Sequence, residues 1–260
     1  MSPGRSALAA SVGLGAGVLS GMFGVGGGII LVPALVAILG MDQRNAAATS
    51  LMAIIPTSIA GAATYSLRGD VSVTAAVIIV VGSLVGAQVG SRLLAVLPAR
   101  ALPWVFVAFA GFVLLMERLH EPTRDAGLDI DPLTIAHSPG RVAVLAGIGL
   151  VAGILAGLVG VGGGVVVVPG LEIAAGAGDL LARGTSLLAM VPTAISGTAA
   201  NRRRGLGDPR TGAVVGLASV LGSPAGAWIA RALSPRAASW LFSAFIVVAV
   251  VSVLRKAAKR

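Results

Sequence analysis

The chain has no cysteine. That excludes disulfide staples, thiolate metal sites and any relay that passes sulfur between cysteines. Charge is nearly as scarce, at 11% Asp, Glu, Lys and Arg in 260 residues, and acids are the scarcer sign, 10 against 19 bases. The two histidines, His120 and His137, share one polar stretch and form no ligand set. No nucleophile–base pair or metal constellation emerges elsewhere, so neither an enzyme nor a cofactor is expected. What fills the chain is apolar: 56% of residues are hydrophobic and the mean hydropathy is +0.97. So much apolar surface cannot hide in a soluble core, and the class that follows is an all-α polytopic membrane protein whose partner is the lipid bilayer. The net charge of +9 is not a nucleic-acid signature. Its bases sit singly or in short clusters between apolar segments, where the positive-inside rule puts them.

Glycine and internal repetition are abundant. The stretch Gly17–Pro33, ending in Gly24-Val-Gly-Gly-Gly28 and an apolar run, returns 136 residues later as Gly153–Pro169 with Gly160-Val-Gly-Gly-Gly164. Aligned without a gap, residues 17–69 match 153–205 at about 24 of 53 positions. Each copy opens as an apolar helix with glycine at every fourth position (Gly13, Gly17, Gly21; Gly149, Gly153, Gly157), which clears a groove for another helix. Three nearly successive glycines should then break that helix, since each costs about 1 kcal/mol against alanine. The N-terminal run after Arg5 imitates a signal peptide, but its recurrence at Gly149 marks it as architecture.

The expected organisation is two homologous four-segment repeats, about 8 membrane segments in all, with a glycine-interrupted first helix in each. Residues 1–118 form the first repeat, 119–140 an extramembrane linker and 141–260 the second repeat. The first segment, residues 7 to 39, would make a helix of about 50 Å against roughly 30 Å of hydrocarbon, so it either crosses with an unwound middle or dips in and returns. Gly82, Gly86 and Gly90 form a further packing groove, answered by Gly222 and Gly226. Trp104 and Trp240 are placed as interface anchors. Lys and Arg divide 12 to 7 if the broken segments re-enter and 13 to 6 if they cross. Both put the termini in the cytoplasm, in a multi-pass protein of the cytoplasmic membrane. Re-entry leaves three crossings per repeat and so inverts the repeats, a common plan among secondary transporters.

In discontinuous-helix transporters the substrate sits where broken helices from the two repeats meet. The candidate binding residues are therefore Gly24, Gly26, Gly27, Gly28, Gly160, Gly162, Gly163 and Gly164, with hydroxyls from Thr49, Ser50, Thr57, Thr185, Ser186 and Thr193. Bare N–H groups and a helix N-terminus attract anions without a fixed charge. The turns match neither the G-x-G-x-x-G spacing nor a Gly-Lys-Ser/Thr ending, so no nucleotide fingerprint is present. Arg44 and Arg183 are read as snorkelling anchors or an anion funnel. Glu172 is read as a helix-end acid or a proton relay, and Gln88 as lining a pathway or bonding a neighbouring carbonyl.

The doubled pattern G-x-x-x-G-x-x-G-V-G-G-G-x-x-x-V-P, followed by T-S-L and P-T, resembles the sulfite exporter TauE/SafE family, also called the 4-toluene sulfonate uptake permease family. The resemblance covers essentially the whole chain. It implies a secondary transporter of small anions, typically sulfite, thiosulfate, sulfoacetate or other sulfonates, and does not choose among them. A channel-like anion facilitator and a non-transporting membrane subunit are the alternatives. The sequence carries no signal for oligomeric state.

Overall fold

A computed structural model describes residues 3–98, 100–119 and 138–257, and every element among them is an α-helix. In order these are α1 (Pro3–Phe23), α2 (Gly28–Ala37), α3 (Gln43–Ser66), α4 (Val73–Val96), α5 (Leu102–Leu119), α6 (Pro139–Val159), α7 (Gly164–Ala175), α8 (Asp179–Arg203), α9 (Pro209–Ala232) and α10 (Pro235–Ala257). Five of them, α1, α3, α4, α6 and α9, are long and apolar enough to cross a bilayer, and α2, α5, α7 and α10 are shorter apolar helices. The chain is a multi-pass membrane protein. Most of the expected linker, with His120 and His137, lies outside the described residues. Trp104 and Trp240 are both exposed, at 62% and 61%, as side chains at a lipid–water boundary would be.

Local chemistry sets the helix ends. Asp42 caps α3 by accepting from the backbone N–H groups of Arg44 and Asn45, and Ser72 caps α4 by accepting from Ala75 N. Asp208 caps α9, with Pro209 in the first helical position where its missing N–H is not needed. The Thr211 hydroxyl donates to the Asp208 carboxylate at 2.6 Å and, with the Arg210 N–H, holds that carboxyl below its usual range.

The first segment of each half is a hairpin of two helices. Gly27, the N-cap of α2, lies against Ala16 in the middle of α1, and at the far end the Arg5 guanidinium donates to Leu39 O at 2.7 Å. A chain that continued straight would carry residues 16 and 27 about 16 Å apart, so α2 doubles back along α1. Gly163 meets Ala152 in the same way, which folds α7 back along α6.

The glycine grooves pack backbone to backbone, and they exchange partners between the halves. Gly13, Gly17 and Gly21 of α1 press against Val215, Ser219 and Ser223 of α9, and Gly222 and Gly226 return the contact to Leu14 and Val18. At the same offset of 136, Gly149, Gly153 and Gly157 of α6 press against Ile79, Ser83 and Ala87 of α4, with Gly86 and Gly90 against Leu150 and Ile154. In lipid, where no hydrophobic force drives helices together, such close approach is the main source of association. Tyr65 strengthens the first seam by donating from its hydroxyl to Gly21 O at 2.8 Å.

Candidate functional site

The two glycine turns meet at the centre of the molecule. Gly28 lies against Val161 and Gly160, and Gly164 against Gly24 and Val25, so that a Cβ on Gly28 would come within 2.5 Å of Val161 Cα. Glycine is required here on two grounds. Gly24, Gly26 and Gly27 have φ near +70°, Gly160, Gly162 and Gly163 between +75° and +87°, and the touching backbones leave no room for side chains. Ile54 of α3 and Met190 of α8, equivalent at the offset of 136, fill the space beside Gly26 and Gly162.

The N–H groups have few partners. Gly24 N and Gly160 N close the last turns of α1 and α6, and the donors resume at Ile30 and Val166, which bond back to Gly27 O and Gly163 O. Between them, the N–H groups of Val25 to Ile29 and of Val161 to Val165 donate to no carbonyl or side chain among the described residues. Successive N–H groups around left-handed glycines form an anion-binding concavity, and α2 and α7 add the positive ends of their dipoles.

All six candidate hydroxyls are buried, and the structure divides their work. Ser50 donates to Gly160 O at 2.8 Å and Ser186 to Gly24 O at 2.9 Å, so each braces the turn of the opposite half. Thr49 and Thr185 accept from Asp208 N and Ser72 N, both at 2.9 Å, and thereby anchor the starts of α9 and α4. Thr57 and Thr193 each donate to the carbonyl one turn back and lie 2.8 and 2.5 Å from Ser219 and Ser83. The expected donor set thus separates into backbone N–H groups without partners at the junction, among the described residues, and hydroxyls already engaged in holding the helices and turns together. Thr49→Val, which keeps shape but strands the part-buried Asp208 N–H, is expected to cost about 1 kcal/mol. A thermal scan of the detergent-solubilised protein would measure it.

Arg183 corrects the reading from sequence. It is no snorkelling anchor: it is only 5% exposed, pairs with fully buried Asp179 at 3.2 Å and donates to Met22 O at 2.9 Å, beside the Gly24 turn. Spacing held the signal, since Asp179 and Arg183 are four apart on one helix face. Arg44 donates to Leu97 O at 2.6 Å, and Gln88 to the Ser196 hydroxyl at 2.8 Å, so both tie helices together. Glu172 is partly buried on α7.

A family model described as sulfite exporter TauE/SafE matches residues 2–116 and 145–260. The chain belongs to that family. Its relatives include the probable membrane transporter protein YdhB of Bacillus subtilis, 33% identical over 40% of this chain and 44% of the relative. A probable membrane transporter protein of Xylella fastidiosa is 28% identical over 67% of this chain and 65% of its own length. The probable membrane transporter protein MamO of Paramagnetospirillum magneticum is 33% identical over 44% of this chain, a match spanning 19% of that longer protein. These matches span from about a fifth to two thirds of the relatives' lengths. No solved structure matches. As a TauE/SafE member, the protein stands among membrane transporters, and its glycine turns fall inside both matched stretches.

Proposed function

We propose that the protein is a secondary transporter of small oxyanions, of the sulfite, thiosulfate or sulfonate class, working by alternating access around the paired glycine turns. One observation carries the reading: two sets of unpartnered backbone N–H groups converge where the broken helices of the two halves touch. Such a site supplies donors without adding a fixed charge of its own, so an oxyanion can be held and still leave. The hairpin geometry favours re-entrant first segments, hence two inverted repeats, three crossings in each and about 8 membrane segments. The bias of Lys and Arg then favours cytoplasmic termini in the inner membrane.

The test is uptake of radiolabelled sulfite and thiosulfate into proteoliposomes, with a sulfonate and a carboxylate as competitors and with or without a pH gradient. Saturable uptake with counterflow is the expected result. Flux without saturation or counterflow would point to a channel, and no flux under any gradient would overturn the transport reading for the isolated chain.

A further inference from the structure

Contacts in the two halves repeat at the offset of 136 down to individual atoms, so the places where the halves differ stand against a matched background. Three differ in one way. Ser20 on α1, Ser58 on α3 and Ser223 on α9 are each 0% exposed, and none of their hydroxyls has a hydrogen-bond partner among the described residues. Their counterparts are Ala156, Ala194 and Ala87, which are buried at 0% exposure too. Alanine therefore satisfies the packing at these positions. A buried hydroxyl without a partner opposes folding, and native interiors hold few of them. A group that packing does not need and that this structure leaves unsatisfied is free to serve a ligand.

The three serines sit where α1, α3 and α9 come together. The Ser223 backbone presses on Gly21, and its hydroxyl lies 2.9 Å from where a Cβ on Gly61 of α3 would stand. One turn away, Ser219 presses on Gly17 and meets the Thr57 hydroxyl. Ser20 is one turn before the Gly24 turn, accepting from Gly24 N at 2.8 Å through its carbonyl, and Ser58 is one turn beyond Ile54, the neighbour of Gly26. Ser20 and Ser58 thus lie one helical turn from the Gly24–Gly28 turn or its neighbour Ile54, and Ser223 lies against Gly21. A buried ion pair, Arg183 with Asp179, lies on the same side. Arg183 Cα lies 2.6 Å from a Cβ built on Gly24, while the equivalent neighbour of Gly160 is Ala47.

We propose that the anion passes along the seam of α1, α3 and α9, on the Gly24–Gly28 side, and that Ser20, Ser58 and Ser223 are the hydroxyl donors it meets when that seam opens. The matching seam of α4, α6 and α8 has alanine at these three positions, its Ser83 and Thr193 hydroxyls are bonded to each other, and it does not bind the anion. Hydroxyls alone would suit a cation as well. The unpartnered N–H groups of Val25 to Ile29 are donors only, and they select an anion. The assignment rests on the anion-carrier reading above but names one of its two seams.

The absence of native cysteine makes the test direct. Single variants Ser20→Cys, Ser58→Cys and Ser223→Cys, and the mirrored Ala156→Cys, Ala194→Cys and Ala87→Cys, are reconstituted in liposomes. Each is treated with anionic sulfonatoethyl methanethiosulfonate or cationic trimethylammonioethyl methanethiosulfonate, and the modified fraction is read by mass spectrometry. The serine-derived set should react at least about tenfold faster than the mirrored set, faster with the anionic reagent once each rate is scaled to that with a free thiol in solution, and more slowly when sulfoacetate is added. Equal reaction of both sets, reaction of the mirrored set alone, no reaction at either seam, or a preference for the cationic reagent would each overturn the proposal. This readout does not require flux, so it separates the seam from the transport reading. A second variant, Ser20→Ala/Ser58→Ala/Ser223→Ala, should lose about tenfold or more in anion flux while its thermal midpoint holds or rises, because unsatisfied hydroxyls have been removed. Unchanged flux with a lowered midpoint would make the serines structural and sink the assignment.

Discussion

Gly28→Ala and Gly164→Ala are each expected to reduce flux by about 100-fold while the protein still inserts. A methyl group on Gly28 would stand 2.5 Å from Val161 Cα and 2.6 Å from Gly160 O, and one on Gly164 would stand 2.6 Å from Gly24 O. These neighbours are backbone, so no rotamer change relieves the clash. Overpacking of this kind costs about 1 to 3 kcal/mol, and the rigid neighbours put these positions near the upper figure, or about two powers of ten. Neither glycine has a positive φ, so the effect would be steric and not conformational. Gly15→Ala and Gly147→Ala are the controls, because nothing lies within 4 Å of a Cβ at either position and alanine is the better helix former. They should transport normally and be as stable as the parent or more so. Wild-type flux in Gly28→Ala would remove the contact between turns from the mechanism.

Separating Asp179 from Arg183 should produce the largest loss of stability. Breaking a buried ion pair by removing one partner typically costs about 3 to 5 kcal/mol, because the remaining charge has lost its compensation. Arg183→Ala also removes the donor to Met22 O at the end of α1, and Asp179→Ala leaves the guanidinium buried beside the Gly24 turn. The other half shows that the fold does not need the pair, since Gln43 and Ala47 occupy the matching positions. The double variant Asp179→Gln/Arg183→Ala is therefore expected to be more stable than either single alanine variant. Thermal midpoints of the parent, Asp179→Gln, Arg183→Ala and the double variant in one detergent give the coupling. Additive losses would mean that the two charges act independently.

Much of the fold was legible because glycine at every fourth position has one main use in a membrane helix, and all the grooves read at Gly13–Gly21, Gly82–Gly90, Gly149–Gly157 and Gly222–Gly226 are packing surfaces. Their pairing was not legible. It joins α1 to α9 and α6 to α4 across the halves, and spacing within a helix says nothing about a partner far away in sequence. The turns at Gly24 and Gly160 announced themselves by composition, while the hydroxyls around them did not reveal their roles. Ser50 and Thr49 are adjacent and chemically alike, yet one braces the opposite turn and the other anchors α9, a difference set by what each meets after folding. Arg183 misled because a lone arginine near a helix start usually reaches for water. Its partner Asp179, one turn away, keeps it inside.

The exchange of helices between the halves also governs biosynthesis. When α1 enters the membrane, the surface it will cover on α9 lies about 200 residues further along the chain and has not yet been made. The glycine groove of α4 likewise stays open until α6 follows it. The amino-terminal hairpin is thus placed first and locked last. A nascent chain stalled before α9 would expose small-residue grooves to lipid and to other membrane proteins, where quality-control proteases and insertion chaperones can recognise it as unfinished.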